Sequence, residues 1–236
     1  MLHFVIPENY GSLLALAGII FAFAVTVAAT AKLADMLPKD GGREFAHDGK
    51  LSAGKPRGAG IIFVLAFAAA AYLFAPMKPE TAIYLILTII CMMTGFLDDS
   101  SKMPWGEYKK GFLDLCVAAL VAMTFLKYNP NTIELALFHV QVTIPPVLFA
   151  VLIVILVWGS VNVTNCSDGV DGLSGTLTII TIMAIYVIDQ VLDKGQDFSF
   201  LILLFAVCIL GYLWYNATPS RLMMGDAGSR AMGLFI

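Results

Sequence analysis

The chain has 236 residues, 59% of them hydrophobic and 13% charged, with a mean hydropathy of +0.86. This composition excludes an ordinary soluble domain and makes burial in a membrane the default. The net charge of −3 excludes a broad basic field for nucleic acid, and Cys91, Cys116, Cys166 and Cys208 lack the spacing of a metal site or a disulfide framework.

A hydrocarbon core about 30 Å thick needs about 20 helical residues. In chain order, apolar runs bounded by polar punctuation predict spans over residues 12–37, 58–75, 81–96, 111–126, 146–159, 172–188 and 198–214, with an eighth run beginning near Ala227. The first run follows no basic segment and is too long for a signal-peptide core, so it reads as a retained span. Residues 132–143 alternate in a β-like way and are closed by Pro145-Pro146, which predicts a short hairpin. The expected fold is all-α: a polytopic transmembrane helical bundle of about seven complete spans plus the start of an eighth, with residues 1–236 forming one domain. The ending Gly-Leu-Phe-Ile, in mid-run, reads as a cut rather than a natural terminus.

Charge in the connecting segments sets the expected orientation. Lys39, Arg43, Lys50, Lys55, Arg57, Lys102, Lys109, Lys110, Arg221 and Arg230 fall in one set of loops; the alternate set holds only Lys78, Lys127 and Lys194. The richer set belongs in the cytoplasm, which puts the N-terminus outside.

Polar residues gather on that same side. The third run ends in Gly95-Phe96-Leu97-Asp98-Asp99-Ser100-Ser101-Lys102. Two adjacent carboxylates at a helix C-terminus repel each other and oppose the macrodipole, so a nearby cation is expected, either a divalent metal or Lys102. Residues 162–175, NVTNCSDGVDGLSG, carry two carboxylates and two amides but no lysine or arginine. Asp168 and Asp171 share a face if the turn is helical, and Gly172 and Gly175 leave room for a backbone or a phosphate near the next helix start. In the third acidic segment, Met224-Gly225-Asp226-Ala227-Gly228-Ser229, Asp226 is also placed to cap a helix. The segment Lys50 to Gly60 supplies positive charge suited to lipid headgroups or to phosphate. Carboxylates that hold Mg²⁺ beside lysines that meet phosphate oxygens are the tools of phosphoryl transfer.

These three motifs, in this order and on one side of the membrane, resemble the polyprenyl-phosphate N-acetylhexosamine-1-phosphate transferase family. Gly54-Lys55-Pro56-Arg57-Gly58-Ala59-Gly60 resembles its first-loop signature in a variant form. The resemblance is greatest to the clostridial type of the branch that transfers phospho-MurNAc-pentapeptide. It implies a ten-helix fold in the bacterial plasma membrane, commonly a homodimer, with the site open to the cytoplasm. It also implies Mg²⁺-dependent transfer from UDP-MurNAc-pentapeptide to undecaprenyl phosphate, giving lipid I and UMP. By motif match, Asp98 and Asp99 are the acidic pair, with Asp98 the base towards the lipid phosphate. Asp226 is the metal ligand, with Asp171 beside it. Asn165, Asp168, Gly169 and Asn216 fall at the nucleoside pocket. Lys102 is a phosphate-side lysine, and Lys50, Lys109 and Lys110 match more loosely. Met223 stands where an aromatic residue often stacks on uracil, and the family's histidine-rich loop would lie beyond Ile236. The alternatives are a UDP-GlcNAc transferase of the same family and, more distantly, a cation transporter, which would place its acids nearer the bilayer midplane.

Overall fold

The computed structural model describes residues 2, 11–42, 52–101, 103, 105–135, 140–192 and 198–236. Its helices are α1 (Gly11–Leu33, continued by a single 3₁₀ turn over Ala34–Met36), α2 (Gly60–Phe74), α3 (Pro79–Asp99), α4 (Glu107–Tyr128), α5 (Pro146–Ser167), α6 (Leu173–Leu192), α7 (Ser199–Asn216) and α8 (Gly225–Phe235). Strands β1 (Thr132–Leu135) and β2 (Val140–Thr143) pair antiparallel, Thr132 opposite Thr143, as the predicted hairpin between α4 and α5.

Six of these segments, α1 with its 3₁₀ turn and α3 to α7, are long and apolar enough to cross a membrane, and α2 is a shorter apolar helix. Outward faces keep large apolar side chains exposed, among them Leu156, Ile155, Ile180 and Val187. Such a surface suits lipid, and the protein is a multi-pass membrane protein. Proline sits in the first turn of α3 and α5, where its missing N–H costs nothing.

Helix α5 runs on past its predicted end at Gly159 as far as Ser167. Its polar residues are satisfied within the helix: Asn162 donates to the Trp158 carbonyl at 2.7 Å and Ser167 to that of Thr164 at 2.8 Å. Apolar periodicity stops at the membrane boundary, whereas helical hydrogen bonding does not.

Helix α8 is the centre of the packing. Every residue from Gly225 to Gly233 is buried, chiefly against α3 and α5 and then α2. Glycines make this approach possible. A Cβ on Gly60 of α2 would lie 2.0 Å from Gly228 N, one on Gly95 of α3 would lie 2.4 Å from the Asp226 carbonyl, and one on Gly233 would lie 2.5 Å from Val161 Cα on α5. Backbone therefore meets backbone on three sides. On the far side of α2, Phe63, Phe67, Phe205 and Tyr212 join α2 to α7, and Phe235 extends the cluster from α8.

Gly95→Ala is expected to lower stability by about 1–3 kcal/mol or more, because the new methyl must displace backbone. Gly159→Ala meets nothing within 4 Å and should be neutral or slightly stabilising in its helix. Thermal melts of the two variants in one detergent test the contrast.

Candidate active site

The segment between α1 and α2 is pinned to itself and then to α8. Asp40, buried, accepts hydrogen bonds from Ser52 Oγ at 2.6 Å and Gly42 N at 3.2 Å. The Asp40 N–H donates to the Lys55 carbonyl, and the Arg57 N–H to that of Pro38. Beyond this tie, Met223 N donates to Pro56 O at 2.8 Å, Ala59 N to Met223 O and Gly60 N to Met224 O, both at 3.0 Å. The first-loop motif and the Met224-Gly225-Asp226 motif are thus joined backbone to backbone.

At this junction Asp99, from the C-terminal end of α3, meets the N-terminal end of α8. Its Oδ1 accepts from Asp226 N at 3.1 Å and its Oδ2 from Ala227 N at 3.0 Å. A carboxylate here satisfies two otherwise unpaired N–H groups and sits at the positive end of the α8 dipole. Gly225, at φ 65°, has no room for a Cβ, which would fall 2.3 Å from Asp99 Oδ2. Asp226 makes no capping bond of its own; the cap comes from another helix.

Two cations hold the carboxylates. Lys110, on the first turn of α4, lies 2.7 Å from Asp98 Oδ2 and 3.1 Å from Asp226 Oδ2. Arg57 reaches the other side, with Nη2 3.4 Å from Asp226 Oδ1, Nη1 3.7 Å from Asp40 Oδ1 and Nε 2.9 Å from Asp99 Oδ1. The Nε–H is not aimed at that last oxygen, so this contact is ionic rather than a formed hydrogen bond. Burial works against the Arg57 charge, but Asp99, Asp226, Asp40 and Asp98 outweigh it and raise its pKa above the ordinary value. Asp98 is oriented further by Trp105 N, which donates to its Oδ1 at 2.6 Å.

Next to this cluster lies a small polar recess lined by Asp168, Gly169, Val170, Asp171, Asn216 and Met223. The turn after α5 forms one wall and the segment between α7 and α8 the other. Asn216 clips them together, accepting from Gly172 N at 2.9 Å and donating to Leu222 O at 2.8 Å. Lys55 lies 3.5 Å from Asp171, so the first loop borders the recess as well as the acid cluster.

The structure brings Asp98, Asp99, Asp226 and Lys110 together as one group, and Asp168, Gly169, Asp171, Asn216 and Met223 as another. It corrects several expectations. Asp98 and Asp99 face different partners, Asp98 the Lys110 ammonium and Asp99 the start of α8. Asp171 lines the recess and pairs with Lys55. Asn165 donates to Ser229 Oγ at 2.9 Å and tethers α5 to α8 instead of lining the recess. Gly175 receives Leu213 of α7, where a Cβ would come within 2.9 Å of that side chain. Lys109 lies outward, its ammonium 3.3 Å from the Trp105 ring centroid. Lys50 and Lys102 lie outside the described residues. Arg57 was missed as a site residue: its place in the glycine-bearing signature was visible, but Asp99 and Asp226, two of its three acidic partners, are contributed by distant segments.

Among the described residues, no group of three or more His, Cys, Asp or Glu side chains is arranged to hold a metal ion. Mg²⁺ does not need such a cage, since one or two carboxylates, water and substrate phosphates complete its octahedron. Asp98 and Asp226 already share one cation, the Lys110 ammonium. Two oxygen donors facing a common positive charge fit Mg²⁺.

Residues 81–236 match the family described as glycosyl transferase family 4. The chain is 36% identical over 250 residues to the phospho-N-acetylmuramoyl-pentapeptide-transferase of Treponema pallidum (strain Nichols), an alignment covering 97% of this chain and 68% of that protein. The transferase of the same name from Symbiobacterium thermophilum is 32% identical over 77% of this chain and 58% of its own. That of Moorella thermoacetica is 32% identical over 78% and 60%. The chain spans about two thirds of the Treponema protein and less than two thirds of the other two.

Asp99→Ala removes the α8 cap and one anion from beside Arg57, and is expected to cost about 1–3 kcal/mol. Asp99→Asn keeps one acceptor and should cost less. Chemical denaturation followed by tryptophan fluorescence orders the three proteins; equal stabilities would contradict the capping role.

Proposed function

Because the chain belongs to glycosyl transferase family 4, we propose that it transfers phospho-MurNAc-pentapeptide from UDP-MurNAc-pentapeptide to undecaprenyl phosphate, forming lipid I and UMP for peptidoglycan synthesis. The observation that supports this most is a single basic loop, Lys55 to Gly60, bordering an acid cluster on one side and a polar recess on the other.

The recess takes the nucleoside, with Asp168 and Asn216 as polar contacts and Met223 covering the base. The diphosphate then extends along Lys55 and Arg57 towards Lys110. All three basic side chains are partly exposed, and among the described residues carboxylates hold them. Phosphate oxygens can replace those carboxylates as acceptors, so the cations transfer to the substrate without moving far. Asp98, fixed by the Trp105 N–H, faces the incoming lipid phosphate. An oxygen of that phosphate attacks the phosphorus attached to the sugar; a new P–O bond forms as the bond to the bridging oxygen breaks, and UMP leaves with the electron pair. Asp226 and Asp98 would hold Mg²⁺, which when bound neutralises charge on the diphosphate. Alignment and charge stabilisation by fixed groups carry such a reaction.

In this reading the basic loops face the cytoplasm of a bacterial cell and the chain lies in its plasma membrane, as the excess of positive charge on that side favours. A homodimer is the proposed assembly. A UDP-GlcNAc donor is the competing choice.

Purified protein given UDP-MurNAc-pentapeptide and undecaprenyl phosphate should release UMP only with Mg²⁺ present. Asp226→Asn should reduce the rate by about 100-fold or more. Turnover of UDP-GlcNAc instead would reassign the donor, and no release from either donor would refute the proposal.

A further inference from the structure

Two charge pairs of opposite sense cross between α4 and α8. Lys110 and Asp114 are one helical turn apart on α4, and Asp226 and Arg230 are spaced the same way on α8. The first rung is Lys110 Nζ to Asp226 Oδ2 at 3.1 Å. In the second, Arg230 Nε donates to Asp114 Oδ1 at 3.0 Å and its Nη2 reaches the same oxygen. Along the shared direction α4 presents positive then negative charge, and α8 negative then positive. Only one axial register closes both rungs. A slip of one turn either way sets Lys110 against Arg230 or Asp226 against Asp114, like charge against like.

The second rung is deep: Arg230 is 2% exposed and Asp114 5%. An ion pair so buried adds little stability over an apolar pair of the same volume, and register is the best-attested reason to retain one. Among the described residues Arg230 Nη1 has no acceptor, a desolvation cost that an apolar side chain would not carry. Helix α8 also needs such a device. Its closest approaches to α2, α3 and α5 are made where Gly60, Gly95, Gly228 and Gly233 bring backbones together, and such small residues set the distance between helices better than their relative height.

We propose that Asp114 and Arg230 are positioning residues that fix the axial register of α8 and hold Asp226 level with Lys110 and Asp98. The proposal rests on the reading of Asp226 as a metal ligand.

Mn²⁺ binding to the purified full chain, followed by electron paramagnetic resonance, provides a readout independent of turnover. The apolar pair Asp114→Leu with Arg230→Met should fold and bind Mn²⁺ about tenfold or more weakly, as loss of a supporting partner does at other metal sites. Exchanging the charges in Asp114→Arg with Arg230→Asp should recover affinity to within about threefold, where each single reversal loses it. Native affinity in the apolar pair would overturn the proposal, as would a charge exchange that recovers nothing. If the native protein bound no Mn²⁺, the metal reading of Asp226 would fall first, and this inference with it.

Discussion

A carboxylate at the end of one helix caps the beginning of another, and the arrangement of the acidic face follows from that contact. Asp99 accepts the first free N–H groups of α8 with both its oxygens. It can do so only because Gly225 has no side chain and because Gly60 and Gly95 let α8 come to backbone distance from α2 and α3. Once α8 is anchored there, Asp226 must lie one residue into the helix, within reach of both Arg57 and Lys110. The carboxylate that looked like half of a reactive pair is better understood as the support on which the other half's surroundings are built.

Much of the fold could be read from hydropathy. Each predicted span corresponds to a helix, and the alternation in residues 132–143 corresponds to β1 and β2. Helix ends were less legible, because Asn162 and Ser167 satisfy their side chains on carbonyls within α5 and the helix outlasts its apolar stripe. In the site, Asp168, Gly169 and Asp171 of one sequence motif sit on a single turn and line the recess together. Partners that come from different segments are another matter. Arg57, Lys110 and Asp114 each face residues more than a hundred positions away or on two elements at once, and no local spacing carries that information.

The charge pattern has a simple logic. Among the described residues of the acid cluster, each carboxylate meets a lysine, an arginine or a helix N-terminus, with the two cations shared among the acids. A face organised in this way is ready to exchange one set of counter-charges for another when a diphosphate arrives. That is an economical arrangement at a membrane surface, where unpaired charge is costly.

The backbone bonds between residues 56–60 and 223–224 also bear on biogenesis. A ribosome delivers the first loop long before α8, and six helices, α2 to α7, separate the two. Until α8 emerges, Arg57 has neither Asp226 nor the capped helix start to complete its surroundings, and Gly60 and Gly95 face an unfilled slot. Assembly of the acidic face is therefore post-insertional: the spans enter the bilayer one after another, but the chemistry of this face arrives all at once, with α8.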